Sequence, residues 1–157
     1  MDLILWRHAE AQMLRPEKDT PEEDLQRALT AKGERQATRM AEWLNQRLAQ
    51  STRVLVSPAV RTQQTAQALG RPFKTVATLA PGAEVDAILQ AARWPDGSEP
   101  VLIIGHQPTL GMVASQLLSC EPQPWAIKKG AVWWLRQRVR EGEDQVVLQA
   151  VQSPDCL

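Results

Sequence analysis

Leu3-Ile4-Leu5-Trp6-Arg7-His8-Ala9-Glu10 is four unbroken apolar residues that stop abruptly at a guanidinium, an imidazole and a carboxylate. An apolar run of that length bounded by charge predicts a strand buried on both faces, the kind that fills a parallel sheet. Groups just past the carboxyl end of such a strand lie in the ligand crevice of an open α/β sheet. Arg7 and His8 are therefore candidate site residues.

Two further runs repeat the pattern. Val101 to Gly105 leads straight into His106, the second of only two histidines in the chain, and Arg53 to Ser57 is followed by Pro58 and then Arg61. Three predicted strand ends thus bring His8, His106, Arg7 and Arg61 to one edge of one sheet. Cations gathered in this way repel one another and need a negative ligand to offset that repulsion.

Between the strands the periodicity becomes helical. Thr30 is a candidate N-cap for an amphipathic helix from about Ala31 to Ala49, with Ala37, Met40, Ala41, Leu44 and Leu48 inward. Ser57-Pro58 and Gln107-Pro108 both have the form of a cap followed by proline at the first helical position. Ala59, Thr62, Ala66 and Leu69 give the inward stripe of the first helix, and Leu110, Val113, Ala114, Leu117 and Leu118 that of the second. Side chains on a helix lean toward its N-terminus, so Arg61 can reach back over the strand end it came from. A guanidinium above a helix N-terminus is an anion-binding arrangement.

Lys74 to Ala77 predicts a short strand, Val85 to Ala92 a short helix and Trp94-Pro95-Asp96-Gly97 a turn. Ala11 to Ala28 is charged and broken by proline, and is expected to be a surface loop beside the site. Ala131 to Leu135 and Gln145 to Val151 predict a terminal antiparallel hairpin around Glu141-Gly142-Glu143-Asp144. The alternation predicts a three-layer α/β/α fold with a mainly parallel sheet. Without repeats or linkers, one domain over residues 1–157 is expected. The six tryptophans are expected to pack in the core or at its rim, and Lys128 and Lys129 to be solvated at a strand entrance, with fringing of the anion site as the alternative role.

The chain has 157 residues, 43% of them hydrophobic, with 18 Lys+Arg against 18 Asp+Glu. That balance provides no global attraction to nucleic acid or to an anionic membrane surface. No stretch approaches the roughly 20 apolar residues of a membrane helix, and no signal peptide precedes the first strand, so a cytoplasmic protein is expected. Cys120 and Cys156 have neither metal-ligand spacing nor the density of a disulfide scaffold, and are expected to be reduced thiols.

Among enzyme classes, a dinucleotide oxidoreductase is disfavoured because no Gly-x-Gly-x-x-Gly follows the first strand. His8, Glu10 and His106 as metal ligands are disfavoured because the adjacent arginines repel a divalent cation. A phosphate-binding module without catalysis shares every binding group with a catalyst, and stays open as an alternative.

Arg7-His8-Ala9-Glu10, Ser57-Pro58 with Arg61, and Gly105-His106 together resemble the histidine phosphatase superfamily. The short chain, the run Val54 to Thr65 and the run Val101 to His106 are similar to the SixA-type phosphohistidine phosphatases within it, over roughly Leu3 to Leu118. The resemblance implies that His8 is the nucleophile that becomes phosphorylated, and that Arg7, Arg61 and His106, with Ser57, bind the phosphoryl group. It implies no metal and no cofactor. A neutral imidazole can attack phosphorus while fixed cations stabilise the equatorial oxygens, so residue chemistry supports the same roles. Ala9 departs from the family's usual glycine, so the backbone there has to accommodate a Cβ.

The candidates for a general acid are Glu10, Glu84 and Asp86, none in a recognisable context. An alkyl phosphate expels a strongly basic alkoxide and needs a proton donor. Phosphohistidine leaves as imidazole, which can be protonated on its ring before the bond breaks. The expected substrate is therefore a phosphohistidine-bearing protein, with a small-metabolite phosphatase or phosphomutase as the alternative.

Overall fold

The computed structural model describes residues 1–157. In chain order the elements are β1 (Asp2–Arg7), α1 (Pro21–Leu25), α2 (Ala31–Asn45), β2 (Arg53–Val56), α3 (Val60–Gln67), β3 (Lys74–Thr75), α4 (Val85–Ala92), β4 (Val101–Gly105), α5 (Thr109–Ser119), β5 (Val132–Arg140) and β6 (Glu143–Gln152). The six strands form one sheet in the order β3-β2-β4-β1-β5-β6. The first four in that order run parallel, and β5 and β6 are antiparallel.

Alternation along each strand divides the core in two. Leu3, Leu5, Val101 and Ile103 face a layer built by α4 and α5, with Ile88, Leu110 and Val113. Ile4, Trp6, Leu102 and Ile104 face the opposite layer of α2 and α3, with Met40, Leu44, Ala66 and Leu69. Both faces of β1 and β4 are therefore covered, which is why their sequences are continuously apolar rather than alternating. The expected three-layer α/β/α architecture with a mainly parallel sheet and a C-terminal hairpin is the architecture observed.

Several boundaries differ from the sequence expectation. The hairpin turn is only Glu141-Gly142, with φ of 55° and 81°; two successive left-handed residues make a tight turn that matches strand twist, so Glu143 and Asp144 join β6. α3 starts at Val60 with Ala59 as its cap, because the Ser57 hydroxyl is bonded to His106 and to the Ala59 N–H instead. α5 starts at Thr109, and Gln107 caps it from outside by accepting the Gly111 N–H at 2.8 Å. α2 ends at Asn45 rather than Ala49.

The stretch from Ala11 to Ala28 is more than a loop. Thr20 caps α1 by accepting the Glu23 N–H at 3.2 Å, ahead of Pro21 and an acidic first turn. Cap, proline and acidic turn form a helix-start signal that a reading of proline and charge as breakers overlooks.

Candidate active site

Parallel register aligns three strand ends. Arg7 pairs with Gly105 in β1·β4, and Val56 with Ile104 in β2·β4, so His8, Ser57 and His106 emerge side by side. Arg7, His8, Arg61 and His106 all line one cavity of about 240 Å³. The four residues expected at the site are thus brought together, and all but Arg7 are almost fully buried, with His8 6%, Arg61 3% and His106 5% exposed.

His8 is held through its Nδ1, 2.7 Å from the Ala9 carbonyl oxygen. A carbonyl only accepts, so Nδ1 carries the hydrogen and the lone pair is on Nε2. Ala9 is itself fixed, its N–H donating to Thr65 Oγ1 at 3.2 Å, and its methyl packs in a small apolar cluster with Leu29 and Ala37. Ala9 does not line the cavity and its φ is not positive. The Cβ that departs from the family pattern therefore points away from an incoming phosphate.

The neighbouring Gly33 lets α2 approach this segment, since a Cβ there would collide with the Glu10 carbonyl oxygen. Opposite His8, with ring centroids 5.4 Å apart, is His106. Its Nδ1 lies 3.3 Å from Arg61 Nη2 and its Nε2 2.7 Å from Ser57 Oγ. A guanidinium only donates, so Nδ1 accepts and the Nε2–H donates to Ser57. Ser57, fully buried and not on the cavity wall, reaches the site through His106 rather than by facing a substrate directly.

Burial, reinforced by the charges of Arg61, Arg7 and Arg27, pulls His8 from 6.5 to about 3, against the opposing bond to Ala9. Burial, then His8 and the same arginines, takes His106 to about 2. Both rings are neutral at physiological pH, and the Nε2 lone pair of His8 is available to attack an electrophile. The unfolded chain binds protons at both rings below about 6.5, where the folded chain does not, so these groups make stability fall as pH drops from 6.5 toward 3. With only two histidines in the chain, NMR should find neither imidazole titrating between about pH 7 and 5 in the folded protein. A ring titrating near 6.5 would contradict this description.

The positive groups have unspent donors. Arg7 Nη1 donates to the Ile127 carbonyl at 2.7 Å, while Arg7 Nε and Arg61 Nε are buried without a partner. Both residues line the cavity, so their guanidiniums keep N–H groups without a protein partner beside a site that suits an anion. Ile127 belongs to the segment between α5 and β5, which is also tied down by Trp6 Nε1 donating to the Gly130 carbonyl at 2.9 Å.

Sequence reasoning missed Asp24 and Arg27, both supplied by α1 and the residues after it. Arg61 Nη1 donates to the Asp24 carbonyl at 2.7 Å and Nη2 to Asp24 Oδ2 at 3.1 Å, while Arg27 Nε donates to Asp24 Oδ1 at 2.9 Å. Burial works to raise the Asp24 carboxyl, but the charges and hydrogen bonds of Arg61 and Arg27 outweigh it and hold it below the usual range. Asp24 is thus a fixed carboxylate that orients two guanidiniums, and it has no proton to give. Arg27 lines the cavity. Lys129 lines it too, whereas Lys128 pairs with Asp155 at 3.8 Å.

None of the candidate acids reaches the cavity wall. Glu10 accepts from Thr30 Oγ1 at 3.0 Å and lies 3.9 Å from Lys32 Nζ; Glu84 and Asp86 are exposed at the start of α4. His8, Glu10 and His106 therefore do not converge as a metal-ligand set, and no group of three His, Cys, Asp or Glu side chains does. No helix is long and apolar enough to cross a membrane.

Comparison with known proteins finds relatives in sequence and in fold. Phosphohistidine phosphatase SixA of Escherichia coli (strain K12) is 30% identical over 133 residues, covering 79% of this chain and 78% of that protein. The structure of the protein histidine phosphatase SixA complexed with tungstate matches with a TM-score of 0.80 at 25% identity, over 99% of each chain. Phosphoserine phosphatase from Entamoeba histolytica, at 14% identity and a TM-score of 0.68 over 97% of this chain and 96% of that one, shares the fold. A family model of the histidine phosphatase superfamily (branch 1) matches residues 3–87, which include Arg7, His8 and Arg61. With that match, a relative 30% identical over most of its length and a cavity lined by the expected residues, the chain belongs to the histidine phosphatase superfamily.

Proposed function

We propose that this member of the superfamily is a metal-independent phosphatase that removes phosphate from phosphohistidine on proteins through a phosphorylated His8. The observation that carries the substrate class is the cavity wall, which has three guanidiniums, a lysine and two neutral imidazoles but no carboxylate. Such a wall stabilises a phosphoryl group and offers no carboxylic acid to a leaving group. Relatives named for phosphohistidine support the same class.

In the first step the His8 Nε2 lone pair attacks phosphorus and the P–N bond of the substrate breaks. The departing imidazole, already protonated on its far nitrogen, leaves neutral and needs no enzymatic acid. Arg7 and Arg61 donate to the equatorial oxygens through their unspent N–H groups, and the His106 Nε2–H is shared between Ser57 and the phosphoryl group. The phosphorylated His8 ring is cationic, and its Nδ1–H bond to the Ala9 carbonyl stabilises that charge. Water then attacks phosphorus, the Nε2–P bond breaks, and both hydrogens of the water leave with the phosphate.

The test compares kcat/KM for a histidine-phosphorylated protein with that for a sugar phosphate at neutral pH. A preference for phosphohistidine of about 10²-fold or more is expected from the missing acid. Activity should survive EDTA, and tungstate or vanadate should compete. A preference for the sugar phosphate would overturn the substrate reading in favour of a small-metabolite phosphatase, and loss in EDTA restored by zinc would overturn the mechanism.

A further inference from the structure

Lys32, Arg35 and Arg39 stand on the outer side of α2 at i, i+3 and i+7, all exposed. With Gln36, Pro154 and Asp155 they line a hollow of about 260 Å³. This arrangement is unfavourable for the helix alone. Like charges three and four residues apart repel, and cations near the first turns oppose the positive end of the helix dipole. Lys32 lies 3.9 Å from Glu10, but neither Arg35 nor Arg39 is paired with an acid.

The hollow adjoins the active-site mouth. Gln36 Oε1 accepts the Glu10 N–H at 3.0 Å, two residues from His8. A Cβ on Gly130 would lie 3.2 Å from Pro154 Cγ and 3.6 Å from Gln36 Cβ, so Lys128 and Lys129 lead from the hollow to the cavity that Lys129 lines. A strip of positive charge thus runs from the cavity across α2, on a chain whose acidic and basic residues balance overall. Lys32 and Lys128 each meet one acid, Glu10 and Asp155, while Lys129, Arg35 and Arg39 form no ion pair, so the excess of cations on this one side is a local feature rather than a consequence of composition.

We infer that the strip formed by Lys129, Lys128, Lys32, Arg35 and Arg39 is a docking surface for an acidic face of the protein that carries the phosphohistidine. The inference rests on the substrate reading above. It assigns partner choice to charge complementarity beside the cavity, because the cavity recognises only the phosphoryl group common to every such substrate. Complementary charge at a rim acts mainly on encounter rate, and its effect weakens with salt.

The test uses two histidine-phosphorylated peptides of equal length, one with a glutamate-rich flank and one with a glutamine-rich flank, and an aryl phosphate as a small substrate. At low salt the wild-type protein should prefer the glutamate peptide by about tenfold in kcat/KM, and the preference should collapse near 0.5 M salt, roughly the range where charges are screened within a few Å. The R35E/R39E variant alters two side chains without hydrogen bonds or ion pairs. It should lose the preference while keeping its rates on the glutamine peptide and the aryl phosphate within about twofold.

Equal rates for the two peptides with the wild-type protein, or a preference kept by R35E/R39E, would overturn the docking surface and leave the substrate reading intact. Binding of single-stranded RNA that R35E/R39E abolishes, with no peptide preference, would overturn it in favour of a nucleic-acid surface. Hydrolysis of the aryl phosphate with neither peptide dephosphorylated would overturn the substrate reading, and the docking surface with it.

Discussion

His8→Ala should lower kcat by about 10³-fold or more, because it removes the group we propose accepts the phosphoryl and leaves no second imidazole free to replace it. The only imidazole left is His106, and both of its nitrogens are engaged, one by Arg61 and one by Ser57. The fold should survive, since the His8 side chain makes one hydrogen bond, to the adjacent Ala9. The backbone bonds of residue 8, its N–H to Gly105 and its carbonyl from Gly130, are untouched by the substitution. Steady-state kinetics together with a thermal melt distinguish lost chemistry from lost structure. A folded His8→Ala protein with wild-type turnover would contradict the assignment.

Arg61→Ala should have the second largest effect, about 10²- to 10³-fold in kcat/KM, as expected for removing a buried donor that strengthens its bond to the phosphoryl oxygens in the transition state. Arg61→Lys should recover little. A lysine cannot hold Asp24 with two nitrogens and also contact His106, as the guanidinium does. Asp24→Asn should have a smaller effect of the same kind, through the aim of Arg61, and should raise KM more than it lowers kcat. If Asp24→Asn matched Arg61→Ala in magnitude, Asp24 would be acting directly on substrate rather than through Arg61.

The parts of the site legible in the sequence are those that local chain geometry places. A buried parallel strand reads as an unbroken apolar run because both its faces are covered, and the residues just after the run must stand at the sheet edge. Arg7, His8 and His106 are visible for that reason, and Arg61 because a helix starting at a strand end returns its first turn to the same place. Asp24 is not visible, because its partner Arg61 lies 37 residues away and pairing between distant side chains has no local signature. The Ile127 carbonyl that holds Arg7 is hidden because every residue has a carbonyl.

Ser57 shows a different limit. A serine followed by proline after a strand reads as a helix cap, and only the proximity of His106 shows that its hydroxyl is used elsewhere. Glu10 is the converse case. Two residues from His8 it reads as a candidate acid, yet its side chain is turned away to Thr30 and Lys32.

Whether a phosphoryl group is carried on His8 can be read by quenching the protein within milliseconds of mixing with a labelled phosphohistidine substrate and mapping the label. Acid-labile, alkali-stable phosphate should appear on Nε2 of His8, formed and discharged at rates at least equal to kcat and absent from His8→Ala. Label on His106, or turnover with no phosphoprotein formed at any time, would contradict it.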